Sequence, residues 1–297
     1  MNIFLRIYNT LFRTMQRQDL SRWEHPVNVD MPIYGVYHVF CADGWQLLVR
    51  AQIEHLRRSG LLDVTAKLYV SCVSLHERDV DILKQIVNSD KLEIISAVDN
   101  PKVFEYPALE FLREKAEKED CLFYYFHTKG VSFFSEKRKD SCYVKFKRRV
   151  DAWRILMEYF LMDKWQVAVN VLLDGYDTYG CYRYPPKPAP YIMYAGNFWW
   201  ATSKYIRSLS PINSSGDNTD RFLAERWLYH GTPNDFSAFD TIALLYRVYL
   251  PPVFYQTNSK PILPLLKFVF RYNVVKIRKN IFRYDYDNHL NRKYQKS

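Results

Sequence analysis

Glycine is scarce in this chain, nine residues in 297, so each one is expected to answer a backbone need that other residues meet poorly. No run of 18 consecutive apolar residues exists, and Arg6 interrupts the apolar residues of the first twelve. Neither a membrane-spanning helix nor a clean secretory leader is expected, and the expected compartment is cytoplasmic. The five cysteines, Cys41, Cys72, Cys121, Cys142 and Cys181, are odd in number, widely spread and without a C-x-x-C pair. That argues against a disulfide framework or a structural zinc site and for reduced thiols. There is no internal repeat. What is present is ordinary globular material: 48% hydrophobic and 25% charged residues, fractions that exclude a disordered, collagenous or coiled-coil chain. The length suits one large α/β domain or two small ones.

The formal charge of +10 would point to a nucleic-acid partner if the folded body carried it. It does not. Residues 260–297 hold ten Lys or Arg against Asp285 and Asp287, a net of +8, which leaves +2 for the other 259 residues. The excess is a tail, and no nucleic-acid partner is expected. That tail is also apolar in a helical rhythm: Leu266, Phe270, Val274, Ile277 and Ile281 fall on one stripe, with Lys267, Arg271 and Arg278 beside it. A segment of this kind can lie at an anionic membrane surface, each nearby cation adding on the order of 1 kcal/mol, or pack on the core as an ordinary helix, and the two readings do not exclude each other. Residues 1–23 repeat the theme with Ile3, Phe4, Ile7 and Leu11 among Arg6, Arg13 and Arg17. The chain thus divides into a basic amphipathic segment over 1–30, a folded body over 31–258 and a basic amphipathic tail over 259–297, with a peripheral position at the inner face of the membrane as the expectation.

Within the body, Ile33–Cys41 reads as a buried first strand, rich in β-branched and aromatic residues. A polar break, Ala42-Asp43-Gly44, leads to a helix over Trp45–Ser59 that stops at Gly60. Strands are expected at Lys67–Val73, Leu92–Ala97 and Cys121–Phe126, with helices at Asp79–Asn88 and Tyr106–Glu119 between them. Such alternation predicts an α/β fold with a mostly parallel, Rossmann-like sheet and helices on both faces. In such sheets the ligand lies beyond the carboxyl ends of the strands, which directs attention to the loops after Cys41 and Phe126. The second half is less regular: helices at Val144–Leu161 and Lys164–Leu173, a short strand at Thr178–Tyr182, a proline-rich loop over Pro185–Pro190, a strand at Phe198–Ala201 and a helix at Ala224–Tyr229.

The loop His127-Thr128-Lys129-Gly130 places a small hydroxyl, a cation and a glycine at the sheet's carboxyl edge. Backbone amides and Lys129 suit a phosphate or diphosphate there, the cation being worth about 4 kcal/mol against a phosphate at ~4 Å in a half-screened cleft. A surface turn with a solvated lysine is the plainer reading of the same residues.

The order F-E-Y-P-A-L (Phe104–Leu109), F-H-T-K-G (Phe126–Gly130), Y-D-T-Y-G (Tyr176–Gly180), A-G-N-F-W-W-A (Ala195–Ala201) and R-F-L-A-E-R-W-L (Arg221–Leu228) resembles a group of bacterial glycosyltransferases. These belong to capsule, O-antigen and other surface-polysaccharide synthesis and are expected to have the GT-A architecture. The resemblance spans roughly Ile33 to Tyr229. It implies a nucleotide-sugar-dependent, hexosyltransferase-like enzyme that moves a sugar to a glycan acceptor, expected to be lipid-linked. On the donor side it implies Asp43 at the ribose or base, Glu105 and Tyr106 lining the same cleft, and His127, Thr128, Lys129 and Gly130 at the diphosphate. His127–Gly130 stands where GT-A enzymes usually carry a D-x-D metal motif, and this chain has none there. Either Lys129 and His127 take over stabilisation of the leaving group, or Mn²⁺ or Mg²⁺ is held by carboxylates elsewhere. Asp79-Val80-Asp81 opens a helix, where acids are favoured as cap and dipole partners, and Asp285-Tyr286-Asp287 lies in the tail.

On the acceptor side, the resemblance implies Asn197 and Trp199 as sugar-binding residues ahead of Phe198 and Trp200, with Asp220 and Arg221 nearby. Glu225 is the expected general base, with Asp220 and Asp217 as substitutes; its i, i+4 spacing from Arg221 equally suits a simple ion pair. His38, His55 and His230 are expected to be structural. Two other functions fit the same residues less well: a glycan- or nucleotide-binding protein of this fold without turnover, and a basic nucleic-acid-binding protein.

Overall fold

The computed structural model describes residues 15–28, 30–131, 141–184, 192–212, 221–257 and 261–284. The chain forms two compact units. One comprises Met1–Arg17, Glu136–Leu156 and Phe239–Ser297, the other Gln18–Ser135 and Met157–Ala238. The division expected from charge has different boundaries: residues 136–156 and 239–258 fall in with the two termini and not with the body.

In chain order the strands are β1 (Met15–Arg17), β2 (Ile33–Phe40), β3 (Thr65–Val73), β4 (Leu92–Val98), β5 (Leu122–His127), β6 (Thr178–Gly180), β7 (Arg183–Tyr184), β8 (Met193–Tyr194), β9 (Trp199–Thr202), β10 (Asp235–Ser237) and β11 (Phe239–Thr241). The helices are α1 (Trp45–Arg58), α2 (Leu61–Val64), α3 (Asp79–Val87), α4 (Tyr106–Lys118), α5 (Ser141–Glu158), α6 (Trp165–Leu173), α7 (Ser203–Ser208), α8 (Arg221–Arg226), α9 (Val253–Gln256) and α10 (Ile262–Asn280).

The larger unit holds a seven-stranded sheet in the order β10-β6-β9-β5-β2-β3-β4. Neighbours among β5, β2, β3 and β4 run parallel, as do β10 and β6, while β9 is antiparallel to both β5 and β6. Strand β2 is buried along nearly its whole length, the mark of a parallel strand covered on both faces. Tyr34 and Val36 meet α4, α7 and α8 on one face in a cluster with Phe123, Tyr125, Trp199 and Ala201. On the other face Tyr37 Oη donates to Gln52 Oε1 of α1 at 2.7 Å. Gly35 also points that way, and a Cβ there would lie 2.4 Å from the buried ring of Tyr124; only glycine lets that ring cross β2.

Some expected elements shift. The strand expected over Thr178–Tyr182 ends at Gly180, and the next residues form the two-stranded ribbon β7-β8. Helix α8 begins at Arg221, three residues earlier than expected, and tightens into a 3₁₀ turn over Trp227–Tyr229. The amphipathic reading of residues 1–23 lies outside the described residues up to 14. Beyond that it gives way to β1, which pairs antiparallel with β11, and to a 3₁₀ turn at Ser21–Trp23. Between α5 and α6 the chain makes a π-helical turn over Tyr159–Asp163. The proline-rich loop over Pro185–Pro190 lies outside the described residues. No helix among the described residues is long and apolar enough to cross a membrane.

Candidate functional site

The topology explains why distant motifs meet. Parallel strands deliver the loops after β2, β4 and β5 to one edge of the sheet. Because β9 is antiparallel to β5, with Trp199 opposite Tyr125, the residues that precede β9 arrive at that same edge. Glu105 sits there at the N-cap position of α4, its main-chain oxygen accepting from Ala108 N and Leu109 N.

Glu105 is buried, and its carboxylate gathers the motifs. Oε2 accepts from Tyr125 Oη at 2.6 Å and from Asn197 Nδ2 at 2.5 Å, and Oε1 lies 3.4 Å from His127 Nδ1. Asn197 Oδ1 in turn accepts from Trp199 Nε1 at 2.8 Å, and the Trp199 ring stacks on Tyr125 at 5.0 Å. His127 Nε2 donates to Gly196 O at 2.9 Å; a carbonyl only accepts, so that nitrogen carries a proton and Nδ1 is the one turned to the carboxylate. A buried carboxylate is costly unless donors satisfy it, and here Tyr125 and Asn197 both donate to it. Burial pushes the Tyr125 hydroxyl well above its ordinary pKa, with the charges of Glu105 and Glu225 adding to the effect, so Tyr125 remains a donor.

Backbone geometry supports the same point. Gly196 has φ 94° and Asn197 φ 59°, and Asn197 N donates to Tyr194 O at 3.0 Å, a turn in which glycine's freedom at φ > 0 is required. Phe104, immediately before Glu105, holds φ 49°, a conformation that costs a bulky residue free energy and concentrates at functional sites.

His38 lies opposite His127 in the parallel β2–β5 pairing. Its Nδ1 is buried with no hydrogen-bond partner among the described residues. Burial lowers its pKa to about 4, the charge of His127 acting in the same direction and Glu105 against it, so the ring is neutral at neutral pH.

The expected donor-side residues have divergent placements. Asp43 is exposed in the loop after β2, and Lys129 and Gly130 are half-buried in the turn after β5, where Lys129 N donates to His127 O at 2.7 Å and Gly130 has φ 87°. Thr128 is buried; its Oγ1 accepts from Phe40 N at 2.9 Å and its N–H donates to His38 O, so it clips the ends of β5 and β2 together. Tyr106 is buried in the core beneath the sheet face and does not line a cleft. Asn197 and Trp199 are buried too, at 2% and 1% exposure, with their polar atoms spent on Glu105 and on each other. They hold the carboxylate and present no face to a sugar, because both faces of the sheet are covered at β9, where Trp199 and Trp200 point to opposite sides and are both buried.

Glu225 is half-buried on α8, and its effect on Tyr125 puts it in the neighbourhood of the Glu105 cluster. Arg221 opens α8, and nothing is described of its side chain; Asp220 and Asp217 lie outside the described residues. Asp79 uses Oδ2 to accept from Leu75 N at 3.0 Å and His76 N at 2.9 Å, binding the loop that leads into α3. Among the described residues no group of three or more His, Cys, Asp or Glu side chains is arranged to hold a metal ion. Open depressions of about 640 Å³ beside Lys84, Asp90 and Glu93 and about 370 Å³ beside Trp23 and Asn170 lie away from this edge. Tyr125 is the participant that the motifs do not mark, and His38, expected to be structural, stands beside His127 in the strand pairing. Alternation along β2 and β5 marks them, since His38 and His127 share a face when the two strands are parallel neighbours in this register.

No protein-family model matches the chain, and no curated protein matches it.

Proposed function

We propose that the chain is a glycosyltransferase of GT-A-like fold, moving a hexosyl group from a nucleotide-sugar donor to a lipid-linked glycan in surface-polysaccharide synthesis. What supports the reading is one observation: three motifs far apart in sequence, at Glu105, His127 and Gly196-Asn197, meet around one buried carboxylate at the carboxyl edge of the sheet, the edge where ligands of such sheets bind. In this reading Asp43 contacts the nucleoside, and Lys129 with the Gly130 turn takes the diphosphate. The acceptor hydroxyl attacks the anomeric carbon and passes its proton to Glu225 as the bond to the diphosphate breaks. Lys129 offsets the charge on the departing nucleoside diphosphate. Glu105, His127, Asn197 and Trp199 are positioning residues, because their polar atoms bind one another.

The test is transfer and donor hydrolysis, with and without Mn²⁺ or Mg²⁺, by the parent chain and by Lys129→Ala and Glu225→Ala. Each substitution is expected to lower turnover by about 10²- to 10³-fold with little change in melting temperature. Parent-level turnover in both would remove the two assignments. Binding of a nucleotide sugar without any turnover would replace the enzyme with a binding protein of the same fold.

A further inference from the structure

Among the described residues the last helix of the smaller unit is α10, and this helix is apolar on two opposite sides. One side packs: Phe268 and Val269 are buried, and the Phe268 ring meets Phe254 of α9 at 6.0 Å. The other side faces outward. Leu263, Leu266, Phe270, Ile277 and Ile281 are 79%, 53%, 69%, 47% and 70% exposed. At about 100° per residue they fall within roughly 40° of the line through Phe270, and they run for about 27 Å along the axis. Ile262 and Phe282 extend the exposed apolar surface at the two ends, at 71% and 73%.

The polar residues around this stripe are of one sign. Residues 262–284 carry Lys267, Arg271, Lys276, Arg278, Lys279 and Arg283 and no Asp or Glu, and all six cations are exposed. Lys267, Arg271 and Arg278 flank the stripe along one border, at roughly 60–100° from its centre, while Lys276 stands about 120° away on the other side. An apolar seam of this length in water needs a cover. A second copy of the same helix would bring like charges together with no acid to answer them. A surface of acyl chains beneath anionic phosphates answers both features: side chains enter the boundary, and the flanking cations meet the headgroups.

We propose that α10 lies flat on an anionic lipid bilayer, with the Leu263–Ile281 stripe inserted at the headgroup boundary and Lys267, Arg271 and Arg278 on the lipid phosphates. The proposal is independent of glycosyl transfer and stands if that reading fails.

The experiment is co-sedimentation of the full chain with vesicles of phosphatidylcholine alone and with about a quarter phosphatidylserine, at about 0.1 M and about 1 M salt. Two variants accompany it: Leu266→Ser/Phe270→Ser/Ile277→Ser, and Lys267→Gln/Arg271→Gln/Arg278→Gln. The substituted side chains are all exposed, so the far-ultraviolet circular dichroism of each variant should match the parent. The parent chain is expected to bind the anionic vesicles at least about tenfold more tightly than the neutral ones, and less tightly in high salt. The charge variant should lose about a hundredfold in partitioning, and the serine variant at least about tenfold. Equal binding to both vesicles, or no binding, overturns the proposal. Unchanged binding of the serine variant also overturns it, because attraction is then by charge alone. So does a parent dimer, seen by light scattering, that the serine variant abolishes. The two variants touch different side chains, so a folding fault in one leaves the other to decide.

Discussion

At the scale of single residues, Glu105 is the organising group. Its Oε2 takes hydrogen bonds from Tyr125 and Asn197 at once, so the two donors share one acceptor inside the protein. Removing either leaves the carboxylate short of a donor it cannot replace with water, a loss of about 1–3 kcal/mol. Tyr125→Phe and Asn197→Ala are each expected to lower the stability measured by urea unfolding by about that amount, and the double variant should deviate from the sum by more than about 0.5 kcal/mol. Additive losses would mean that the two side chains act separately. Legibility at this scale was partial. The motifs pointed to Glu105, His127 and Asn197, but not to the fact that they bond to one another. An exposed and a buried amide have the same letter, so the motif alone offers Asn197 to a sugar, and only the turn at Gly196 decides which way it faces.

At the scale of elements, the π-helical turn between α5 and α6 carries a second buried polar group. His55 of α1 has Nε2 2.7 Å from Asp163 Oδ2 and Nδ1 3.7 Å from Glu158 Oε2. Glu158 Oε1 accepts from Gln52 Nε2 at 2.8 Å, and Gln52 also donates to the main-chain oxygen of His127. Burial by itself lowers the pKa of His55, but the bonds to Asp163 and Glu158 outweigh it and raise the pKa to about 9. A histidine raised from 6.5 in this way contributes stability that is fully present below about pH 6.5 and is lost as pH climbs through 9. Asp163 is exposed and solvent screens the pair, so the amount is about 1–2 kcal/mol. Melting temperature should therefore fall between pH 6.5 and 9, and His55→Gln, less stable overall, should show a flatter profile there; an unaltered slope would clear His55 of the effect. His38 has the opposite sign, since a folded pKa near 4 costs stability as pH drops from 6.5 toward 4. The strands and helices of the first half were readable from period and punctuation. β1, β10 and β11 were not, because three-residue strands carry too little pattern and exist only through the partners they pair with.

At the scale of the whole chain, a nucleotide or nucleotide sugar that binds the carboxyl edge must raise apparent stability by mass action. At a hundred times its dissociation constant the gain is about 2.7 kcal/mol. A thermal-shift series of nucleoside diphosphates and their sugars, with and without Mn²⁺, is expected to pick out one nucleotide; no shift with any member would remove the donor from the proposal. By itself the sequence determined the α/β class, the parallel core of β2, β3, β4 and β5 and the concentration of positive charge in the tail. These depend on hydrophobic period, residue type and counts, all of which are local. It also marked the tail's apolar stripe, yet not its outcome. Tertiary structure decided that Phe268 and Val269, and not Phe270 or Ile277, face the unit they belong to. It decided equally that β9 enters the sheet backwards, and so that Gly196 meets His127 and Asn197 meets Glu105. Both choices depend on contacts between residues tens of positions apart, whose energies no local pattern records.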